Sequence, residues 1–308
     1  MITVNEISKS FGSIHALKNV GFDIKDGEIF GLLGPNGAGK TTTINILSTI
    51  LQPDSGTVTI NGLNLSEHKE ACKLQIGVVP QEISLYETLT AYENLQFWGG
   101  LYGIPPAPLE TKIKNVLEMV GLYDRRNDPV KTYSGGMKRR INIASALLHT
   151  PKILLMDEPT VGIDPQSRNR IFEIIGELNK EGMTIIYTTH YMEEAERLCH
   201  TIAIIDNGSV IAKGTLEELK KSSDIKDILK IKTSPLDEKN VVKLTTSIPL
   251  KFSHNGSELN FECKNISTQI SEIINATLNS GIEIHSIETQ NASLESVFLK
   301  LTGKHLRD

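Results

Sequence analysis

The residues Gly34-Pro35-Asn36-Gly37-Ala38-Gly39-Lys40-Thr41-Thr42 combine glycines, a lysine and hydroxyls at a spacing suited to phosphate binding. Glycine lets the backbone take positive φ and approach a ligand with no Cβ in the way. Lysine adds a mobile point charge, and the Thr41 hydroxyl can complete a magnesium shell. The stretch reads as a loop that holds the phosphates of a nucleotide.

Other residues of chemical interest follow along the chain. Ser134 is a natural N-cap, and Gly135 and Gly136 leave open N–H groups at the start of a helix, a second anion-binding terminus. Alone that is a weak signal, because such helix starts are common. Asp157 and Glu158 end the apolar run Ile153–Met156. Buried carboxylates are costly unless paired or bound to a metal. Strand alternation predicts that the two point apart, one toward a magnesium shell and the other toward a water. Gln81 ends another apolar run and can ligate magnesium or its water, although most such glutamines are merely solvated. His190 follows Thr188 and Thr189; a lone histidine there more often serves structure than chemistry. Phe11 lies upstream at a distance where a ring can stack on adenine, or serve as a core or edge aromatic.

Several elements must position these groups. The run Glu28–Leu33 predicts a buried strand before the loop, and Thr43–Ile50 predicts a helix after it, with Ile44, Leu47 and Ile50 inward. Residues 2–11 and 15–25 read as strands around a turn at Gly12-Ser13, and Thr57–Ile60 as another before Asn61-Gly62. Thr90–Tyr102 has helical spacing and carries Tyr92, Phe97, Trp98 and Tyr102. This aromatic stripe suits either an interface or a core. Residues 104–108 predict a break, and a second helix is expected over Thr111–Val120. Asp164-Pro165 caps a helix whose inner face is Ile171, Ile174, Ile175 and Leu178. Met183–Tyr187 is the strand that delivers His190.

The chain of 308 residues has ordinary composition, with 39% hydrophobic and 22% charged residues and a net charge of −5. That balance argues against a sequence-independent nucleic-acid binder, which would normally be basic. Cys72, Cys199 and Cys263 are few and scattered, as expected for reduced thiols in a cytoplasmic protein. The start of the sequence lacks the pattern of a signal peptide, and no apolar run approaches the roughly 20 residues needed to cross a bilayer.

Taken together, these motifs resemble the ATP-binding subunits of ABC transporters. Gly34–Thr42 resembles their phosphate loop, Gln81 the Q-loop and Ser134-Gly135-Gly136 the signature motif. Asp157-Glu158 resembles the second nucleotide motif, Val161-Gly162-Ile163-Asp164 the D-loop and His190 the switch histidine. Phe11 stands where the family often has Tyr, and Met137 where many members have Gln. The resemblance implies an α/β fold, a P-loop NTPase of ABC type with a mixed sheet core, an antiparallel β subdomain and a helical subdomain near residues 82–150. It implies ATP and Mg2+ as cofactors, with Thr41, Gln81 and Asp157 around the metal. It also implies Glu158 activating water, His190 contacting the γ-phosphate and Gln81 sensing the magnesium. Two such domains would pair head to tail, as a homodimer, so that Ser134, Gly135, Gly136 and Asp164 of one face the nucleotide of the other.

Beyond Ser222-Ser223-Asp224 the pattern changes, which divides residues 1–221 from a small α+β accessory domain over 225–308. Its expected order is β-α-β-β-α-β plus a terminal helix, ferredoxin-like in type. Ser293–Leu299 resembles the closing segment of drug- and antibiotic-exporter ATPases of the ABC-2 kind. The expected function is an ATPase that powers export through separate integral membrane permease subunits. It would lie on the cytoplasmic face of the cell membrane, without direct nucleic-acid contact. The alternative is a soluble ABC-type ATPase acting on nucleic acid or ribosomes.

Overall fold

The computed structural model describes residues 1–223, 225–263, 266–290 and 292–303; Asp224, at the expected division, lies outside them. The first compact unit spans Met1–Leu216 and the second begins at Glu217, where the sequence reading places the division between 221 and 225. Among the described residues, no helix is long and apolar enough to cross a membrane.

The first unit opens with β1 (Ile2–Phe11), β2 (Ile14–Ile24), β3 (Ile29–Leu33) and α1 (Lys40–Leu47). Next come β4 (Ser55–Ile60), β5 (Leu63–Asn64), α2 (Lys69–Lys73) and β6 (Ile76–Val79). Three helices follow, α3 (Ala91–Leu101), α4 (Pro106–Met119) and α5 (Gly135–Leu147), before β7 (Ile153–Asp157). Then α6 (Pro165–Lys180), β8 (Thr184–Thr189), α7 (Met192–Leu198), β9 (Thr201–Asp206) and β10 (Ser209–Gly214) complete it.

Two sheets organise this unit. One is antiparallel in the order β2-β1-β4-β5, and the other runs β10-β9-β3-β8-β7-β6. In the second, β6, β7, β8, β3 and β9 are parallel and only β10 is antiparallel. Every residue of β3, β7 and β8 is buried, which is why β3 and β7 read as apolar runs, while β8 buries Thr184, Thr188 and Thr189 around Ile185, Ile186 and Tyr187. Leu33 pairs with Thr189, and Asp157 with Thr188. The loops after β3, β7 and β8 therefore leave the sheet side by side at its carboxyl edge, where open α/β sheets bind ligands.

Two predicted helices start elsewhere. The first occupies Lys40–Leu47 and ends before Ile50, which is 68% exposed. Thr49 has φ 66°, a left-handed conformation that stops the helix, and Ile46 takes the buried place expected of Ile50. The second begins at Pro106, ahead of Thr111. The first turn of a helix has no intrahelical use for its N–H groups, so prolines there begin the helix without breaking it.

The aromatic stripe divides between core and surface. Leu95 is buried, whereas Tyr86, Phe97 and Tyr102 are exposed. Tyr86 and Trp98 meet Phe97 edge-on, at 4.9 and 5.5 Å between centroids. Tyr102 stacks on His149 at 3.9 Å. His149 Nε2 lies 2.9 Å from the Ile76 carbonyl oxygen, which can only accept, so Nε2 carries the proton.

Around α8 (Leu216–Ser222) the chain passes into β11 (Asp227–Thr233), α9 (Glu238–Ser247), β12 (Phe252–Asn255) and β13 (Glu258–Cys263). It ends with α10 (Ile266–Asn279), β14 (Ile284–Gln290) and α11 (Leu294–Thr302). The sheet is antiparallel in the order β12-β13-β11-β14, the ferredoxin-like arrangement expected. Alternate residues Leu229, Ile231, Leu259, Phe261 and Cys263 share a core with Leu244, Ile266 and Ile273. On α10, Leu278 is exposed, and Thr277 is buried with its hydroxyl bonded to the Ile273 carbonyl. All three cysteines are free thiols.

Burial pushes the pKa of His149 below the ordinary histidine value of 6.5, against the pull of the Ile76 carbonyl. The unfolded chain thus binds this proton more tightly, so the group withdraws stability as pH falls through about 6.5. His149→Gln should show a smaller drop in Tm between pH 7 and pH 5.5 than the unaltered chain. Thermal melts across that range check it; parallel curves would refute it.

Candidate active site

The loop from Gly34 to Gly39 leaves β3 and feeds α1 at Lys40. Gly37 and Gly39 have φ of 79° and 111°, in the region that favours glycine. A Cβ on Gly34 would stand 2.2 Å from the Ile205 carbonyl oxygen, so space as well as conformation demands glycine here. The loop and the start of α1 line a cleft of about 580 Å³ that includes Asn36, Gly37, Gly39, Lys40, Thr41 and Thr42. Gln81, Glu158 and His190 complete its chemical side, and His15, Ala16 and Lys18 its far wall. A cleft of this size suits a small ligand.

Lys40 is 4% exposed and donates to the carbonyls of Gly34 at 2.7 Å and Pro35 at 3.0 Å. Its third partner is Glu158 Oε1, 2.9 Å from Nζ. The other oxygen, Oε2, accepts from His190 Nδ1 at 3.1 Å. A carboxylate can only accept, so the proton sits on Nδ1 and Nε2 is the nitrogen left for other contacts. Removing one member of a buried ion pair typically costs about 3–5 kcal/mol, because the other charge is stranded. Lys40, Glu158 and His190 therefore form a single electrostatic unit.

The two carboxylates separate, but by a turn and not by strand pleat. The strand ends at Asp157, and Glu158 takes φ 44°, which swings its side chain to Lys40. Asp157 stays behind: its Oδ1 accepts from Thr188 Oγ1 at 2.6 Å, and Thr188 Oγ1 accepts from the Glu158 N–H at 2.9 Å. Thr188 thus ties both acidic residues to β8. No group of three His, Cys, Asp or Glu side chains converges among the described residues. The oxygen donors expected around magnesium are a hydroxyl, an amide and a carboxylate, all hard ligands of the kind it prefers.

Other expected residues lie elsewhere. Phe11 stands exposed at the end of β1, with Lys9 Nζ 5.8 Å from its ring centroid, while Ile14, His15 and Ala16 face the cleft. Ser134 caps α5, accepting the Met137 N–H at 3.2 Å, and Asp164 caps α6, accepting the Ser167 N–H at 2.9 Å. That bond holds the Asp164 carboxyl below its ordinary pKa. The two helix starts touch each other: a Cβ on Gly136 would lie 2.1 Å from Ser167 Oγ and 3.6 Å from Asp164 Oδ2. So Ser134, Gly135, Gly136 and Asp164 form one cluster, and Lys40, Thr41, Gln81, Glu158 and His190 another. Met137, apolar where Gln is common, packs against the core.

Sequence reasoning passed over Arg139. It is 3% exposed, and its guanidinium donates to the carbonyls of Pro80 and Gln81, fixing the backbone that presents Gln81. Burial lowers its pKa. An arginine four residues before Ile143, on the apolar face of α5, was the available signal.

Gly136→Ala should separate the starts of α5 and α6 while sparing the Lys40 cleft. We expect ATPase activity to fall at least tenfold with ATP affinity retained, read by phosphate release and fluorescent-nucleotide titration. Unchanged turnover would mean that Ser167 simply yields.

Comparison with known proteins places these features. Residues 17–161 match the family described as ABC transporter, and residues 214–302 match the C-terminal domain of DrrA1-3-like ATP-binding proteins. The chain is 44% identical to the linearmycin resistance ATP-binding protein LnrL of Bacillus subtilis (strain 168), over the full length of both. It is 35% identical to the daunorubicin/doxorubicin resistance ATP-binding protein DrrA of Streptomyces peucetius, covering 98% of this chain and 92% of that one. Among solved structures, it resembles a dimeric post-hydrolysis ATP-binding cassette bound to ADP and Pi. That likeness has a TM-score of 0.63 at 28% identity, and covers 70% of this chain and 98% of the other.

Proposed function

The chain belongs to the ABC transporter family of ATP-binding proteins, and on that premise we propose that it powers export of a drug-like, antibiotic or lipid-like substrate through a separate membrane permease. ATP is its fuel, and hydrolysis to ADP and phosphate its reaction. Full-length similarity to proteins named for linearmycin and daunorubicin resistance supports export as the direction. None of the relatives named above supports the nucleic-acid alternative. The permease would hold the subunit at the cytoplasmic face of the membrane. Exposed Tyr86, shortly after Gln81 in sequence, and Phe97, which meets its ring edge-on, are the anchors we assign to that contact.

The observation that carries the catalytic reading is the Lys40–Glu158–His190 unit at the mouth of the glycine loop. Phosphate oxygens on the loop amides compete with Glu158 for Lys40. Once released from Lys40, the Glu158 carboxylate is free to orient a water and take its proton. We assign His190 to the γ-phosphate, to whose oxygens it can offer only a protonated ring nitrogen. Gln81 we assign to the sensing of magnesium and Phe11 to the adenine. Thr41, Gln81 and Asp157 would hold Mg2+, which supplies neutralising charge to the phosphates.

One chain presents two anion-binding helix starts in separate clusters, which supports a composite site. In a head-to-tail homodimer the Ser134-Gly135-Gly136 turn of one copy caps the nucleotide on the Lys40 cleft of the other, with Asp164 alongside. The dimeric cassette noted above supports this pairing.

Glu158→Gln should lower phosphate release by about 100-fold or more while ATP binding persists. Normal turnover in that variant would remove Glu158 from the reaction. Ser134→Arg should abolish hydrolysis while single copies still bind ATP; full activity would overturn the paired-copy reading.

A further inference from the structure

Glu194 is a third buried carboxylate, 2% exposed, in the first turn of α7 and four residues beyond His190. Three hydroxyls converge on it. Its Oε1 accepts from Thr160 Oγ1 at 2.7 Å, and its Oε2 from Tyr187 Oη at 2.9 Å and Thr189 Oγ1 at 2.8 Å. Thr160 Oγ1 and Tyr187 Oη also lie 3.1 Å apart. Each hydroxyl has one proton, and the carboxylate has only acceptors, so all three protons are committed to Glu194. Arg168 Nε stands 3.6 Å from Oε1. The charge of Glu194 also helps to raise the Tyr187 phenol far above its ordinary pKa, after burial itself, so that this proton stays in place.

The partners of Glu194 lie on the segments that carry the reacting groups. Thr160 is two residues past Glu158 and directly precedes the Val161–Asp164 turn. Thr189 directly precedes His190, and its hydroxyl also accepts the Tyr191 N–H at 2.9 Å. The backbone is therefore held on both sides of His190, and on the far side of Glu158, by one carboxylate. The contact between Glu158 Oε2 and His190 Nδ1, at 3.1 Å, spans the two segments so held.

We propose that Glu194 is a positioning residue for ATP hydrolysis: it sets the separation of Glu158 and His190 and ties it to the turn that ends at Asp164. This rests on the roles given above to Glu158 and His190. The chemistry of the clamp is specific. A glutamine of the same size keeps only one carbonyl acceptor and turns an NH2 donor toward the other side, so the hydroxyls must reorient and charge-assisted bonds become neutral ones roughly half as strong, which loosens the clamp. Misplacement of reacting groups by about 1 Å can cost 100-fold in rate.

The experiment compares the full-length chain with its Glu194→Gln, Thr160→Val, Thr189→Val and double-threonine variants, with Glu158→Gln in parallel. Phosphate release against ATP concentration gives kcat, and fluorescent-nucleotide titration gives Kd. Glu194→Gln should lower kcat by roughly 10- to 100-fold while Kd for ATP changes less than about threefold. Thr160→Val and Thr189→Val should each lower kcat. Their combination should lose less than the product of the two, because both act through one carboxylate. Unchanged kcat in Glu194→Gln, or kcat and affinity declining together with the folded fraction, overturns the proposal. Strictly multiplicative threonine effects overturn it as well, and that arm decides if Glu194→Gln does not fold. An active Glu158→Gln would instead fault the catalytic reading beneath it.

Discussion

A lysine and a glutamate, both almost fully buried and 2.9 Å apart, sit at the carboxyl edge of a parallel sheet. Two such charges are tolerated there only because each is tightly paired. Lys40 has two loop carbonyls and Glu158, and Glu158 has Lys40 and His190. Water cannot screen that pair well, so any anion reaching the loop changes its balance directly. The rest of the first unit can be understood as the frame that holds these groups in register. Buried β3, β7 and β8 cannot slip without exposing apolar side chains.

Around this pair, hydroxyls and one arginine do the positioning. Thr188 links Asp157 to the Glu158 backbone, Arg139 anchors the Gln81 segment, and Glu194 gathers Thr160, Tyr187 and Thr189. All are short-range contacts among the ends of β7 and β8, the loops that follow the strands, and the helices α5 and α7. They make the carboxyl edge a connected polar layer on an apolar sheet, in which moving one loop disturbs the next. The touching starts of α5 and α6 extend that layer toward the Asp164 turn.

The second unit has a different character. Its sheet has alternate residues Leu229, Ile231, Leu259 and Phe261 in the core, and the intervening Lys230, Lys232, Asn260 and Glu262 are polar. It contains no phosphate loop or nucleophile motif. Its match to the C-terminal domain of DrrA-like proteins, together with the cassette match, marks the chain as one of the ABC ATP-binding proteins that carry such an appendage.

What the sequence by itself determined is local. Glycine spacing, N-caps, unbroken apolar runs and two-residue alternation are enforced within a few residues, so the phosphate loop, the Asp164 and Ser134 caps and the β-α-β-β-α-β order were all legible. Errors arose where local rules compete: Thr49 stopped α1 through its backbone conformation, and the prolines before Thr111 began a helix in place of breaking one. Only the tertiary structure decided which distant groups meet. Lys40 and Glu158 are joined because strand register sets β3 and β7 on either side of β8. Glu158 turns toward the loop because its backbone leaves the strand at φ 44°. The gathering of Thr160, Tyr187 and Thr189 on Glu194 has no sequence signature, since a hydrogen bond between loops depends on where packed strands bring their ends.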